Sequence, residues 1–258
     1  MGTNKCDKCG KELKFAEHSG KVIPLLCSCR MQELENERKK EIQAGEKLLK
    51  AELNKKTGVS IKYSAILLKD IKPQKGQESA FAKINEFYNA YVAENGEKVT
   101  GIAIFGGVGS GKTMLTSALT NQLSADALSK VTEEEKRSAF YRNYSIKTPA
   151  LFTNTVEMLE KIKKSYEEND SFIDRVKNCP LLILDDFGAA RVTEWVEEKI
   201  YEIIDYRYSN LKPVIITSNS LPNELAAAFD KRITDRLKEM CTQIYIDSAS
   251  LRPSASAI

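Results

Sequence analysis

The stretch AIFGGVGSGKTM, residues 103–114, decides the fold of this chain. Residues 106–113 match the pattern G-x-x-x-x-G-K-[ST]; the apolar run GIAIF precedes them and a helical pattern follows. Glycines at these positions let backbone N–H groups and the helix N-terminus face phosphate oxygens, an approach that side chains would obstruct. A glycine-rich turn without a ligand is the alternative, and the order strand, loop, helix argues against it. The sequence therefore predicts a nucleotide phosphate site.

The phosphate loop predicts which residues contact the nucleotide and its metal. Lys112 is expected to contact the β and γ phosphates, and Thr113 to offer its hydroxyl to Mg²⁺. The other predicted nucleotide-binding residues lie in or beside the loop: Gly106, Gly107, Val108, Gly109, Ser110, Gly111 and Met114. ATP and Mg²⁺ are the predicted cofactors of this site.

Polar residues end two later apolar runs, where a phosphate site needs them. LLILDDFG supplies Asp185, expected to hold the Mg²⁺ shell, and Asp186, expected to orient or deprotonate the attacking water. An Asp pair after a strand is otherwise a capped turn, but downstream of a phosphate loop the functional interpretation is favoured. PVIITSN ends in Asn219, expected to reach between the γ-phosphate and water, with capping of the next turn as its alternative.

Three arginines towards the C-terminus are candidates for contacting a nucleotide. Arg232 and Arg236 stand four residues apart in FDKRITDRLKEM, and therefore on one face of a helix. They either decorate a surface or supply an arginine finger, a guanidinium inserted into a neighbouring subunit's site. Arg252, in SASLRPS, is a candidate for touching the nucleotide of its own subunit.

From about Val99 onward, short apolar runs alternate with amphipathic segments, as in a sheet covered by helices. The predicted strands are GIAIF, ALFTN, LLILD, PVIIT and QIYID, and the predicted helices include KTMLTSALTNQL, TVEMLEKIKKSY and TEWVEEKIYEIIDYRYSN. The predicted fold class is therefore α/β. Residues 125–147 form a longer connection than a simple crossover needs, and the pattern assigns them no role.

Composition limits the size of the fold and the classes of partner. The 258 residues are 42% hydrophobic and carry a formal net charge of +3, which suits one main core with a small appendage. This charge permits a basic surface without requiring nucleic acid, and Lys161, Lys163 and Lys164 are either such a surface or a solvated helix face. No run approaches the roughly 18 apolar residues of a membrane span, so no membrane partner and a cytoplasmic location are expected.

Four of the six cysteines crowd into the first thirty residues: Cys6, Cys9, Cys27 and Cys29. Four soft ligands in a segment too short to fold on its apolar content predict a tetrahedral Zn²⁺ site, with reduced structural thiols as the alternative. The second pair is more closely spaced than usual, and His18, the single histidine, is a candidate to replace one cysteine. The polar stretch at residues 30–56 is predicted to be a solvated helix or linker.

The order of the phosphate loop, LLILDDFG, IITSN, RITDRL and SLRPS resembles the AAA+ ATPases of the DnaC/DnaI type, the bacterial and phage loaders of replicative helicases. The resemblance covers about residues 62–253, and its specificity lies in the order of the motifs. The IstB transposition helpers share most of them. In that family a pair of aspartates after this strand is usual, which supports the role expected of Asp186. The resemblance also implies that Asn219 is sensor 1 and that Arg252 is sensor 2. It also implies that Arg236 is the arginine finger, with Arg232 beside it.

The same resemblance implies a division of labour along the chain. Residues 1–55 are predicted to be a zinc module with a connecting helix that binds a hexameric replicative DNA helicase. Residues 56–258 are predicted to be an AAA+ P-loop ATPase domain that binds single-stranded DNA, self-assembles through the ATP site and hydrolyses ATP weakly on its own. The alternatives are an IstB-like transposition helper, against which the cysteine cluster argues, and a nucleotide-gated adaptor with little turnover.

Overall fold

In a computed structural model, the chain is described at residues 5–18, 21–168, 172–248 and 250. Its strands are β1 (Phe15–His18), β2 (Lys21–Pro24), β3 (Gly101–Gly106), β4 (Ala150–Asn154), β5 (Leu181–Asp185), β6 (Val214–Ser218) and β7 (Cys241–Ile246). Its helices are α1 (Ser28–Thr57), α2 (Glu78–Ala93), α3 (Lys112–Ser129), α4 (Glu133–Phe140), α5 (Thr155–Glu168), α6 (Phe172–Asn178), α7 (Glu194–Ser209), α8 (Pro222–Ala228) and α9 (Lys231–Met240). None of the helices in these ranges is long and apolar enough to cross a membrane.

The chain divides into two compact units. One comprises Met1–Ala51 and Lys130–Ile146, and the other comprises Glu52–Ser129 and Lys147–Ile258. The first unit thus includes most of the long connection for which the sequence pattern suggested no role. The domain boundary between residues 55 and 56 stays a prediction.

The second unit contains the predicted α/β fold. Its five strands lie in the order β4-β5-β6-β3-β7, and every neighbouring pair is parallel. The prediction of an α/β fold with a parallel sheet flanked by helices is therefore confirmed. Because parallel strands end at the same edge of a sheet, the phosphate loop after β3 and the polar residues at the ends of β5 and β6 meet there.

Burial on both faces of the sheet explains why its strands are continuous apolar runs. On one face, alternate residues such as Phe105, Leu184 and Ile216 pack into a core with α5, α6, α7 and α9. On the other face, Ile104 and Ile183 pack with α2 and α3. The second face therefore supports α3, the helix that begins at the phosphate loop.

The first unit pairs the long helix α1 with the short helix α4. Arg137 Nε donates to Glu41 at 2.6 Å, and Lys136 Nζ donates to Glu46 at 3.0 Å. The Tyr141 hydroxyl also donates to Glu41. The hydrogen bonds from Tyr141 and Arg137 hold the pKa of Glu41 below its ordinary value, and the bond from Tyr141 has the larger effect. The polar stretch after the cysteines is therefore a helix, and one of its faces is covered by α4.

Candidate functional site

The phosphate loop connects β3 directly to α3, as the sequence predicts. Gly109 has a φ of +82°, a left-handed conformation that favours glycine, and a Cβ built there would overlap the Ser250 hydroxyl. The Lys112 ammonium donates to the carbonyl oxygens of Gly106 at 2.7 Å and Gly107 at 2.9 Å. The lysine thus lies curled over its own loop, within reach of a phosphate bound there.

Lys112, Asn219 and Asp186 form a hydrogen-bonded chain across three elements. Lys112 Nζ donates to Asn219 Oδ1 at 2.8 Å, and Asn219 Nδ2 donates to Asp186 Oδ1 at 3.2 Å. Asp186 has a φ of +52°, which is uncommon for a residue with a side chain, and its backbone N–H donates to the Thr217 hydroxyl at 3.0 Å. The strained turn places a carboxylate beside the amide that contacts the phosphate-loop lysine.

A second polar cluster lies beside the first and contains Thr113, Asp185 and Thr217. The Thr113 hydroxyl contacts both Asp185 oxygens, at 2.9 and 3.1 Å, and the Thr217 hydroxyl donates to Asp185 Oδ1 at 2.7 Å. Burial raises the pKa of Asp185, against the opposing effect of these two hydrogen bonds. The hydroxyl and the carboxylate offer the hard oxygen ligands that Mg²⁺ prefers, so these residues fit the predicted metal.

A cavity of about 310 Å³ opens beside these two clusters. Its lining comprises Lys62, Tyr63, Val108, Gly109, Ser110, Gly111, Lys112, Thr113, Met114, Asp186 and Asn219. Most of the residues predicted to contact nucleotide or water therefore converge on one space. Lys62 and Tyr63 come from the segment between α1 and α2, which no motif in the sequence indicated.

Residues outside every motif fix the position of the phosphate loop. Gln77, which is fully buried, donates to the Ser110 carbonyl oxygen at 2.7 Å, and the Ser248 hydroxyl donates to the same oxygen at 3.3 Å. Neither residue belongs to a recognisable local pattern, because each contacts a loop that is distant from it in the sequence. Thr217 does have a sequence signal, because it belongs to the IITSN motif and lies two residues before Asn219.

The predicted arginine finger and its neighbour lie together on α9 and away from the cavity lining. Arg236 pairs with Asp205 at 2.6 Å, and Arg232 forms two hydrogen bonds with Asp230 at 3.0 Å. Both guanidinium groups also lie over the Tyr201 ring, at 4.6 Å for Arg232 and 5.1 Å for Arg236. Arg252 lies outside the described residues.

The four predicted zinc ligands converge in the first unit. The sulfur atoms of Cys6, Cys9, Cys27 and Cys29 all lie within 4.8 Å of one another. Sulfur ligands of a tetrahedral Zn²⁺ lie roughly 3.8 Å apart, because each Zn–S bond is about 2.3 Å long, so this donor set fits a zinc site. Hydrogen bonds with the sulfur atoms of Cys29 and Cys6 lower the pKa of Cys27 to about 6, which favours the thiolate that binds metal. The side chain of His18 lies outside what the structure describes.

Comparison with known proteins agrees with this geometry. Residues 74–243 match the family described as the bacterial DnaA ATPase domain. The chain belongs to the DnaA-type AAA+ ATPases. Proteins of this family bind and hydrolyse ATP, and the helicase loaders DnaC and DnaI are among the relatives of the chain.

Two Bacillus subtilis proteins illustrate the relationship within this AAA+ family. The replicative helicase loader DnaI is 30% identical over 187 residues, covering 67% of this chain and 53% of DnaI. The phage-like element PBSX protein XkdC is 27% identical over 180 residues, covering 68% of this chain and 60% of XkdC. The chain therefore spans about half the length of the curated relatives it matches.

A solved structure extends the similarity to three dimensions. The crystal structure of the DnaC helicase loader is 28% identical, with a TM-score of 0.56, and the match covers 73% of this chain and all of that structure. A DnaA structure bound to AMPPCP and single-stranded DNA is 19% identical with a TM-score of 0.55 over 74% of this chain, which shows the shared fold.

Proposed function

We propose that this AAA+ protein is an ATP-dependent loader of a replicative DNA helicase. The observation that carries the proposal is the match to the entire structure of the DnaC helicase loader, together with a four-cysteine cluster in a separate unit. In this proposal the first unit binds the helicase, and the second unit binds ATP and single-stranded DNA. Hydrolysis then releases the helicase onto the DNA during replication.

The side chains around the cavity support ATP hydrolysis as the driving reaction. Lys112 and the loop amides are proposed to bind the β and γ phosphates, while Thr113 and Asp185 hold Mg²⁺, whose charge stabilises the phosphate oxygens. Asp186 is proposed to accept the proton of the attacking water. Asn219 hydrogen-bonds to this carboxylate at 3.2 Å and to Lys112 at 2.8 Å, and we propose that it couples water activation to the γ-phosphate.

Assembly of several copies is proposed to complete the ATP site. Arg236 is the proposed finger, and its ion pair with Asp205 must break before the guanidinium reaches a neighbouring subunit's phosphate. Arg232 is the more exposed of the two, with a side-chain exposure of 63% against 25% for Arg236. In this proposal each arginine is held by an aspartate of its own subunit until copies assemble.

A basic cavity in the second unit supports the proposal of DNA binding. It measures about 270 Å³, and its lining includes Lys55, Lys56, Lys161, Lys164 and Arg175. Phe172 lies among them, with Lys161 Nζ and the Arg175 guanidinium each 5.6 Å from its ring centre. These cations suit the phosphates of a single strand, whereas the Phe172 ring is buried in the core beneath them.

The loader proposal is tested by following complex formation with the host's replicative helicase by light scattering, with and without ATP. We expect a complex with the full chain that is lost in the Cys27→Ser/Cys29→Ser variant. Cys179→Ser is the matched control, because Cys179 lies outside the cluster. No complex with the full chain under either condition would reject the loader and favour a transposition helper or a nucleotide-gated adaptor.

DNA binding is tested separately with a single-stranded oligonucleotide and ATP over a range of salt concentrations. Each lost phosphate contact is expected to reduce the slope of log affinity against log salt by roughly 0.7. Lys164→Ala and Arg175→Ala should show this reduction, whereas Lys69→Ala, at an exposed lysine outside the basic cavity, should not. Absence of binding by the unaltered chain at low salt would reject the DNA proposal.

A further inference from the structure

A short turn of chain forms one wall of the nucleotide cavity. It comprises the 3-10 turn Ile61–Tyr63 and the residues up to Ile66, and it contributes Lys62 and Tyr63 to the cavity lining. The other lining residues belong to the phosphate loop, the start of α3, and the polar ends of two strands. The residues of this wall therefore belong to none of the motifs that predict phosphate binding.

Hydrophobic burial does not hold this turn in place. None of the three residues Ile61–Tyr63 is buried, and Ile61 is 94% exposed. The apolar anchors lie on either side, at Val59 and Leu68. A turn that lines a ligand cavity without an apolar anchor of its own needs another restraint, because otherwise it would sample many positions.

Asn121 supplies that restraint. This residue lies on α3 and is only 7% exposed, and its Nδ2 amide donates to the carbonyl oxygens of Tyr63 at 2.7 Å and Ile66 at 2.8 Å. A primary amide carries two N–H donors, so one side chain satisfies both carbonyls. Because α3 begins at Lys112, the same helix fixes the phosphate loop at one end and this wall along its length.

We propose that Asn121 is a positioning residue that holds Tyr63 where its ring stacks on the base of a bound purine nucleotide. The inference rests on the proposed ATP binding and adds the part of the molecule that recognises the base. A triphosphate held by the loop must extend its base towards a wall of the same cavity, and Tyr63 is the one aromatic residue among the lining residues that the structure describes. Lys62 Nζ lies 5.3 Å from the Tyr63 ring centre, on a wall that combines a cation with an aromatic face.

The test compares two probes, ATP and inorganic tripolyphosphate, each titrated with Mg²⁺ into the full chain by calorimetry. The affinity for tripolyphosphate measures binding by the phosphate loop alone. The difference between the affinities for ATP and for tripolyphosphate measures the contribution of the base and ribose. In Tyr63→Ala and Asn121→Ala, ATP affinity should fall roughly tenfold or more while tripolyphosphate affinity stays the same, given the usual strength of base stacking. The preference for ATP over CTP should also decrease in both variants.

Matched variants separate this role from a general structural one. Asn85→Ala removes a similar amide-to-carbonyl bond, to Phe81 at 2.8 Å on α2, and should leave both affinities unchanged. Tyr63→Phe should retain ATP binding, because it keeps the ring. If Asn121→Ala lowers the affinities for ATP and tripolyphosphate equally, or leaves the ATP affinity unchanged, the positioning role is overturned. Either result would leave the proposal of ATP binding standing. An unaltered chain that binds neither probe would overturn the ATP proposal itself.

Discussion

Asp186 shows how a single backbone conformation places a chemical group. Its left-handed φ of +52° turns the chain directly after β5, and its carboxylate accepts from Asn219, which in turn accepts from Lys112. A strained non-glycine residue beside a ligand cavity is typical of functional sites. The neighbouring Asp185 lies deeper and contacts Thr113 and Thr217. The two carboxylates therefore have different surroundings, which agrees with the proposal that Asp186 accepts a proton from water and Asp185 binds Mg²⁺.

Asp186→Asn is expected to keep ATP binding and to reduce the rate of phosphate release by roughly a hundredfold or more, because an amide does not accept the proton of water. The dissociation constant for ATP and the rate are measured on the same preparation. Asp174→Asn, at an exposed aspartate on α6, is the matched control and should change neither value. A slow rate that is the same in Asp186→Asn and the unaltered chain would indicate a nucleotide-gated adaptor.

Arg207 is a buried cation that organises backbone. It is fully buried, and its guanidinium donates to five carbonyl oxygens, those of Val176, Lys177, Cys179, Pro180 and Pro213, at 2.7 to 3.3 Å. The acceptors of these five bonds are backbone carbonyls, and burial lowers the pKa of Arg207. These bonds join the end of α6 to the starts of β5 and β6. Arg207 thus stabilises the sheet at the ends opposite the nucleotide site.

Arg207→Met should destabilise the second unit by about 3 kcal/mol, because it leaves several buried carbonyls without donors. A loss of this size corresponds to a fall in melting temperature of roughly 6 to 12 °C for a unit of this length. Calorimetry measures it, and Arg191→Met, at an exposed arginine, should change the melting temperature by less than about 2 °C. Equal melting temperatures for the two variants would contradict the structural role.

Secondary-structure elements were predictable where the sequence pattern of the element itself indicates them. The buried parallel strands are apolar runs, the phosphate loop has fixed spacing, and parallel topology brings Asp185 and Asn219 to the same edge as the loop. Contacts that depend on distant residues were not predictable. Gln77 and Asn121 belong to ordinary helical patterns or turns, and only the folded chain brings them to Ser110 and Tyr63. The pairing of α1 with α4 likewise joins segments that no periodicity connects.

The packing of α4 on α1 depends on one glycine. A Cβ built on Gly45 would overlap the carbonyl oxygen of Lys136, so the two helices approach as closely as they do only without a side chain there. Glycine inside a helix costs about 1 kcal/mol relative to alanine, and this cost is offset by the contact with α4. Gly45 therefore permits the close contact of α4 with α1 inside the first unit.

Gly45→Ala should separate α4 from α1 although alanine is the better helix former. Hydrogen exchange of backbone amides in residues 133–140 should increase at least tenfold, because α4 loses its packing surface. Gln43→Ala, at an exposed position of the same helix, should leave that exchange unchanged. Unchanged protection of α4 in Gly45→Ala would show that the helices tolerate a wider separation.

At the scale of the whole molecule, the predicted cofactors belong to different units: Zn²⁺ to the first unit, and ATP with Mg²⁺ to the second. The cysteine cluster lies in the unit that contains Met1–Ala51, and the nucleotide cavity lies entirely in the other. A structural Zn²⁺ supplies folding free energy to the segment that binds it and to little else. The fold of the first unit and nucleotide binding by the second should therefore respond to different treatments.

Removal of zinc with a chelator is expected to abolish helicase capture and to leave ATP affinity within about twofold of its original value. Metal content, helicase binding and ATP titration are measured on one preparation before and after chelation, and restored Zn²⁺ should restore capture. The converse control is Lys112→Ala, which should abolish ATP binding while the chain retains one Zn²⁺. Loss of ATP affinity on chelation would mean that the cysteine cluster supports the ATPase fold directly, and the two units would then not act as separate modules.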